Sequence, residues 1–194
     1  MKNFEILPPP QRVVTGHDEA GQSVFLSAGP APQFHGRQKE RVRFFEIWNS
    51  ARTPAPLAAG EPEEPNLRLP LRIPPDPNGS IIRILDIYPG HVQALAPRAD
   101  GRHPGMHRTQ TLDYGILIQG ELHLILDNEA EVKLRAGDIA VQRGTDHAWE
   151  NRSDQVARIA FVLLDGQFTG PLAAQLAGAQ LMHETLSLRS EHDS

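Results

Sequence analysis

The sequence predicts an all-β protein in which short antiparallel strands form a sandwich or a barrel. Segments in which apolar and polar residues alternate dominate the second half of the chain, and turn-forming residues separate them at short intervals. In addition, 16 of the 17 prolines precede residue 105, and the 66 residues from 105 to 170 contain none. Because proline is excluded from central strands, this proline-free block is where a continuous sheet can form.

The first half of the chain is predicted to supply outer strands and an arm. A turn-rich stretch at 16–21 separates two short apolar runs, which indicates a hairpin. Residues 51–79 hold eight prolines in 29 residues and have neither a helical nor a strand period, so we expect an extended arm or a lid. The strands predicted in this half are 13–15, 23–26, 43–48 and 81–87.

The clearest prediction in the second half is another hairpin. Residues 131–135 read EVKLR, which places Val132 and Leu134 on one face and the charges on the other. Residues 121–126 alternate as well, and the turn-forming residues 127–130 join the two segments, so we expect an antiparallel pair. Further strands are predicted at 113–118, 138–141, 147–151 and 157–163.

One helix is predicted near the C-terminus. Pro171 suits a first-turn position, and an apolar stripe follows at helical spacing. We expect this helix to pack on the outside of the barrel or on a second subunit. The stripe consists of Leu172, Leu176, Ala179, Met182 and Leu186.

A chain of 194 residues is expected to form one domain. Within it we distinguish N-terminal strands and a proline-rich arm at 1–104, a barrel core at 105–168, and a C-terminal helix and tail at 169–194.

Composition argues against several classes of partner. The chain has 19 basic and 24 acidic side chains, and the proline-free block has six basic and ten acidic ones, so no nucleic-acid partner is expected. The longest apolar run, residues 159–164, is too short to span a bilayer, and the N-terminus has no hydrophobic signal region, so we expect no membrane partner. The absence of cysteine fits a reducing compartment, and we expect a soluble cytoplasmic protein.

Nine histidines without any cysteine direct attention to nitrogen and oxygen metal ligands. In residues 105–120, His107 is followed by Asp113 six positions later and by Gly120 after seven more. This segment resembles the first sequence motif of the cupin family. That motif has two histidines separated by one residue, then an acidic residue, then a glycine seven positions further on. His107, Asp113 and Gly120 match it, and Thr109 stands where the second histidine is expected.

Residues 137–151 resemble the second cupin motif. A glycine opens a strand, and a later glycine precedes a histidine by three positions, with an asparagine four positions beyond. Gly137, Gly144, His147 and Asn151 satisfy this spacing, whereas Gln142 occupies the usual proline position.

The resemblance implies a single-domain cupin with a double-stranded β-helix, or jelly-roll, barrel whose metal ligands project into the barrel mouth. Carried over to this chain, the implied ligands are His107, Asp113 and His147. Two imidazoles and one carboxylate are the donor set of the facial triad, which favours Fe(II) as the divalent metal ion, although zinc, manganese and nickel also accept such ligands.

Two further residues are candidate catalytic residues. Thr109 lies on the face of His107, where it could orient a bound water or a substrate oxygen. Strand alternation places Trp149 on the face of His147, where it would form an apolar wall against a planar substrate. The alternative for Trp149 is a purely structural place in the core.

Two functions follow from the resemblance. The first is a metal-dependent enzyme that acts on a small organic carboxylate or carbonyl compound, aromatic ones included, by dioxygenation, isomerisation, dehydration or decarboxylation. The second is a non-catalytic small-molecule binding or sensing cupin with a degraded metal site, which Thr109 and Gln142 favour. The family also implies a homodimer.

Overall fold

The computed structural model describes residues 5–37, 41–60, 71–183 and 185–186. Within these ranges strands are the main regular elements, joined by irregular segments and two 3-10 turns, with one short α-helix, α1, at Gly170–Gln175. The strands in chain order are β1 (Gln11–His17), β2 (Ser23–Pro30), β3 (Gln33–Arg37), β4 (Val42–Ser50), β5 (Leu71–Arg72), β6 (Ser80–Ile87), β7 (Thr111–Gln119), β8 (Glu121–Ile125), β9 (Glu131–Arg135), β10 (Ile139–Arg143), β11 (Ala148–Glu150), β12 (Ala157–Asp165) and β13 (Thr185–Leu186).

Two antiparallel sheets enclose the main core. The larger sheet has six strands in the order β10-β7-β12-β6-β4-β3, and the smaller has three in the order β11-β8-β9. The largest buried apolar cluster draws on both, with Leu117 and Ile159 from the first sheet and Leu122 and Trp149 from the second. The all-β class predicted from alternation is therefore confirmed.

The strands of the proline-free block lie close to their predicted positions. Strand β9 has the predicted bounds, and β8 pairs with it antiparallel, with Leu122 opposite Leu134. The turn between β7 and β8 is at Gly120, whose φ of 78° is left-handed and whose added Cβ would lie 3.0 Å from the Ala157 Cα. Glycine is required there on both counts, which explains this residue of the first motif.

Elements from the first half join the same architecture. Strands β3, β4 and β6 belong to the six-stranded sheet, and β6 lies directly beside β12. The predicted N-terminal hairpin is also present, since β1 pairs antiparallel with β2 as a separate two-stranded sheet.

The predicted proline-rich arm is described in part. Residues 51–60 form neither helix nor strand, and residues 61–70 lie outside the described ranges. At the end of this segment β5 pairs with β13, and Leu71 is buried against Ile73, Phe44 and Met182.

The predicted C-terminal helix is wrong in its length. Helix α1 begins beside Pro171 as expected but ends at Gln175, and Gly178 follows with a left-handed φ of 82°. Of the predicted apolar stripe, Met182 instead packs on the small cluster around Leu71, and Leu186 lies in β13. Tertiary packing thus overrides a periodicity that would suit a longer helix.

No helix among the described residues is long and apolar enough to cross a membrane.

Candidate functional site

The two motif histidines meet at one end of the sandwich. His107 and His147 form an isolated antiparallel bridge, in which each backbone N–H donates to the other residue's carbonyl at 3.0 and 2.9 Å. Their imidazole rings are 4.4 Å apart between centroids and tilted by 57°. The structure therefore brings together two of the three residues predicted as metal ligands.

Both imidazoles are held by the same kind of hydrogen bond. The Nδ1 atom of His107 lies 2.8 Å from the Gly105 carbonyl, and that of His147 lies 2.9 Å from the Thr145 carbonyl. Because a carbonyl can only accept, each Nδ1 carries the proton and Nε2 is the unprotonated nitrogen of the neutral ring. This arrangement is typical of metal-binding histidines.

The electrostatics of His147 favour the neutral ring as well. Burial is the main cause that lowers its pKa to about 3, and the neighbouring His107 adds to the effect. His147 is therefore an uncharged nitrogen donor at neutral pH.

Asp113 lies further along the inward face, at the end of a polar column. The Thr109 and Thr111 hydroxyl oxygens are 2.6 Å apart, and Thr111 hydrogen-bonds the Asp113 carboxyl group. Burial raises the pKa of Asp113 to about 6, and its Oδ1 atom is buried without a hydrogen-bond partner. The residue at the missing-histidine position, Thr109, thus acts on Asp113 through Thr111.

Gln142, at the usual proline position of the second motif, connects Asp113 to Trp149. It lies opposite Asp113 in the β10–β7 register, and its Oε1 accepts a hydrogen bond of 3.0 Å from the Trp149 indole. Its Nε2 is buried without a partner. The indole also packs edge-on against Phe161 at 5.5 Å, so Trp149 belongs to the core and lines the cavity described next.

The described residues contain no group of three histidine, cysteine, aspartate or glutamate side chains close enough to hold a metal ion. The histidine pair nevertheless fits a divalent metal in donor type, protonation and proximity. Asp113 is not grouped with the pair, so the three-ligand set inferred from the motifs is not assembled in this structure.

A cavity of about 650 Å³ opens beside His107. Much of its wall is apolar, and segment 179–182 forms one side, where the Met182 N–H donates to the Arg108 carbonyl at 2.7 Å. The apolar side chains that line it include Leu85, Ile87, Leu95, Met106, Trp149 and Phe161.

Charged side chains gather on another part of the same wall. Three arginines line the cavity, Arg98, Arg102 and Arg108, together with one carboxylate, Asp146. The Asp146 Oδ2 atom lies 2.9 Å from Arg108 Nη2 and 3.3 Å from Arg102 Nη2, so a single carboxylate serves two guanidinium groups.

His91 also lines the cavity, although the sequence did not mark it as a candidate. It is buried, and its Nε2 donates to the Trp149 carbonyl at 2.9 Å. Its Nδ1 is buried without a partner, and burial is the main cause that lowers its pKa. His91 thereby fixes the backbone of Trp149 from the side of the cavity.

Neither His91 nor the arginines carry a periodic signal, because they lie in the irregular segment between β6 and β7. The available signal was local composition, since Arg98, Arg102 and Arg108 fall within eleven residues of one Gly/Pro-containing loop. The loop histidine His103 approaches this region too, with its Nε2 3.8 Å from a Glu150 carboxylate oxygen.

Comparisons with known proteins agree with this architecture. A family model described as a cupin domain matches residues 91–163. A phomopsin biosynthesis cluster protein of Diaporthe leptostromiformis is 36% identical over 169 residues, which cover 83% of this chain and 81% of that protein. A cupin-domain-containing oxidoreductase of Aspergillus ruber is 32% identical over 163 residues, covering 79% of this chain and 71% of that one.

Among solved structures, a putative ethanolamine utilization protein of Salmonella typhimurium is 10% identical with a TM-score of 0.43, covering 82% of this chain and 99% of that one.

Proposed function

This chain belongs to the cupin family, and we propose that it is a metal-dependent enzyme acting on a small organic molecule bound in the cavity beside His107. The observation that carries the proposal is the His107–His147 pair, with both Nδ1 atoms fixed by backbone carbonyls and with His107 in the cavity wall. Oxidoreductase chemistry is the leading class, because relatives with that name align with about four fifths of the chain.

In this proposal His107 and His147 would hold the ion, and Asp113 is the proposed third ligand. Fe(II) is favoured, since two imidazoles and a carboxylate are the donor set of non-haem iron oxygenases, while zinc, manganese and nickel are the alternatives. When bound, such an ion supplies Lewis acidity or, as Fe(II), reactivity with oxygen. Dioxygenation is therefore proposed ahead of isomerisation, dehydration and decarboxylation.

The remaining site residues act by positioning and by excluding water. Gln142 holds the indole of Trp149 through the Nε1 hydrogen bond, so the ring presents a fixed wall on which a planar substrate can stack. Thr109 fixes the Thr111 hydroxyl, which in turn hydrogen-bonds Asp113. Apolar side chains around the cavity replace water beside the reacting group.

Metal content tests the proposal. The parent and the variants His107→Ala and His147→Ala are purified under metal-replete conditions and analysed for bound elements, with circular dichroism to verify folding. The matched control is His17→Ala, since His17 is exposed in β1, far along the chain from both motifs. We expect a stoichiometric metal in the parent and the control, and its loss from both site variants. Metal-free parent protein would contradict the proposal.

A second candidate function rests on the substitution of Thr109 for the second motif histidine. A binding or sensing cupin would keep the cavity but not the reaction. Oxygen consumption by the iron-loaded protein, measured with small carboxylates and ketones present, separates the two functions. Ligand binding without turnover by metal-loaded protein would favour the sensing role.

We also propose a homodimer. The hairpin of β1 and β2 stands as its own two-stranded sheet and exposes two large apolar side chains, Val13 and Phe25, with Phe25 79% exposed. Burial of such side chains against a second copy would be favourable. Sedimentation of the parent should give a dimer and Phe25→Glu a monomer, whereas a monomeric parent would contradict the proposal.

A further inference from the structure

We propose that the molecule bound in the cavity carries a carboxylate, and that Arg108, assisted by Arg98 and Arg102, forms the subsite that binds it. The inference rests on the proposed function in one respect, namely that the cavity beside His107 is the substrate site. It narrows the substrate to an amphipathic organic anion and assigns its charged end to three arginines that are not among the motif-defining residues.

The charged side chains in the cavity wall are mainly arginines. The described lining contains three guanidinium groups and one carboxylate, a formal charge of +2 with neutral histidines, in a chain whose net charge is −5. Asp100 and Asp127 pair with Arg98 and Arg102 from outside the lining and offset their charge at long range, so the attraction for an anion is short-range, at the guanidinium groups of the cavity wall. A partly enclosed cavity strengthens the attraction, because the surrounding protein screens charge less than water does.

Arg108 has a buried N–H group that is not satisfied within the described structure. Its side chain is 12% exposed and lies 2.9 Å from Asp146 through Nη2, while its Nε is buried without a hydrogen-bond partner. A buried N–H that lacks an acceptor is costly, so a ligand oxygen at that position would recover the loss. The planar fork of arginine matches the two oxygens of a carboxylate.

The other two arginines, Arg98 and Arg102, are also hydrogen-bonded to aspartates that do not line the cavity. Asp100 accepts from Arg98 at 2.9 and 2.6 Å, and Asp127 accepts from Arg102 at 2.6 Å. These bonds fix the direction of both side chains without placing a further negative charge in the cavity wall. Arg98 and Arg102 therefore supply oriented positive charge, and Arg108 supplies the buried donor.

The apolar wall defines the rest of the ligand. Met106, Trp149 and Phe161 line the same cavity as the arginines, so a molecule that fills it has an apolar or aromatic body next to its anionic end. His107 lies in the wall as well, which places that body beside the histidine pair.

Binding to metal-free protein tests the inference. Benzoate, phenylacetate and cinnamate are each compared with their primary amides by isothermal titration calorimetry after treatment with a chelator. We expect the carboxylates to bind at least about tenfold more tightly than the amides, as a charge-assisted bidentate contact predicts. Equal affinities, or no binding of any of the carboxylates, would overturn the inference.

Two variants identify the residue responsible for the preference for carboxylates over amides. Arg108→Gln should reduce the preference for carboxylate to about threefold or less, while Arg135→Gln, the same change on an exposed arginine of β9, should leave it intact. An unchanged preference in Arg108→Gln would overturn the assignment to this residue.

Asp146→Asn provides a gain that a folding defect cannot mimic. Loss of the carboxylate shared by Arg102 and Arg108 raises the formal charge of the wall from +2 to +3, so carboxylate affinity should rise several-fold while amide affinity stays constant. Unchanged or weaker carboxylate binding would contradict the inference. Because these measurements are made without metal, their failure is distinguishable from a failure to find metal on His107 and His147.

Discussion

Two groups of buried polar side chains in this protein differ in how well the protein itself satisfies them. In the β4–β6–β12 part of the large sheet, acids and arginines are paired. Arg83 binds Glu46 at 2.8 Å, and Arg158 holds both oxygens of the fully buried Asp86 at 2.6 and 2.9 Å. Although Arg83 Nε has no partner, the two Nη groups of that residue are bonded.

Around the barrel mouth and β7–β10 the opposite holds. Buried atoms without a partner include Asp113 Oδ1, Gln142 Nε2, Arg108 Nε and His91 Nδ1. An unsatisfied buried group costs about 1–3 kcal/mol, so such a concentration is expensive for folding alone. The paired groups are thus satisfied within the fold, whereas the unpaired groups leave donors and acceptors available to the metal and the ligand proposed above.

The largest effect is expected from breaking a paired group. Glu46→Gln leaves the Arg83 charge buried and without its carboxylate, so we expect a loss of about 3–5 kcal/mol in the free energy of unfolding, measured with urea. Glu121→Gln, which breaks the half-exposed pair with Lys133, should cost less than about 1 kcal/mol. Similar losses in both variants would remove the distinction.

Replacing an unpaired buried group by an uncharged one should stabilise the folded protein instead of destabilising it. Burial raises the pKa of Asp113 to about 6, so the folded state loses stability as pH rises from about 4, where the unfolded chain ionises, to about 6. In chelator-treated protein at pH 8 we expect Asp113→Asn to raise the free energy of unfolding by about 2 kcal/mol. The gain should shrink as pH falls from about 6 to about 4 and vanish below about pH 3, where the carboxyl group is neutral in the folded and the unfolded chain. Destabilisation at pH 8 would show that Asp113 is structural.

Trp149 belongs both to the core and to the candidate site, because its ring packs in the main apolar cluster while its indole N–H donates to Gln142. Trp149→Phe removes the Nε1 donor and leaves Gln142 Oε1 without it, so a loss of about 1.5 kcal/mol is expected in thermal or urea unfolding. Adding Gln142→Leu should recover part of this loss, since both polar partners are then gone. A double variant less stable than the sum of the single changes would contradict this.

The smallest effect concerns His91. Burial lowers its pKa in the folded state, so the unfolded chain takes up the proton first as pH falls below about 6.5 and the folded state loses stability there. His91→Gln keeps an N–H donor for the Trp149 carbonyl but cannot titrate. Its stability should therefore decline less steeply between pH 7 and 5, as followed by urea unfolding at each pH, and an identical slope would exclude His91 as a contributor.

Alternation predicted most of the strands, although not every predicted inward residue is buried. The bounds of β9 are as predicted and the turn-forming residues before it fix the hairpin with β8, but Leu134 is buried whereas Val132 is 62% exposed. The helix prediction failed beyond Gln175 because spacing cannot reveal that Met182 has a partner in Leu71, more than a hundred residues earlier.

The residues of the candidate site were likewise predicted only in part. Motif spacing placed His107 and His147, which the bridge between them brings into contact, whereas Asp113 as third ligand stays a prediction, since the described residues contain no group of three such side chains. The sequence did not predict that Arg98, Arg102 and Arg108 line the cavity, because their placement depends on how an irregular loop folds over it. Loop residues carry no period, and their contacts are set by tertiary structure.

The short run from Ala179 to Met182 matters for how the binding chamber comes into existence. These residues are among the last described in the chain, yet they form one side of the cavity and are tied to Arg108 through the Met182 N–H. During synthesis, therefore, every other wall can emerge from the ribosome and fold before the chamber is closed. Truncation after Gly178 would therefore remove one wall of the cavity together with the hydrogen bond that joins it to Arg108.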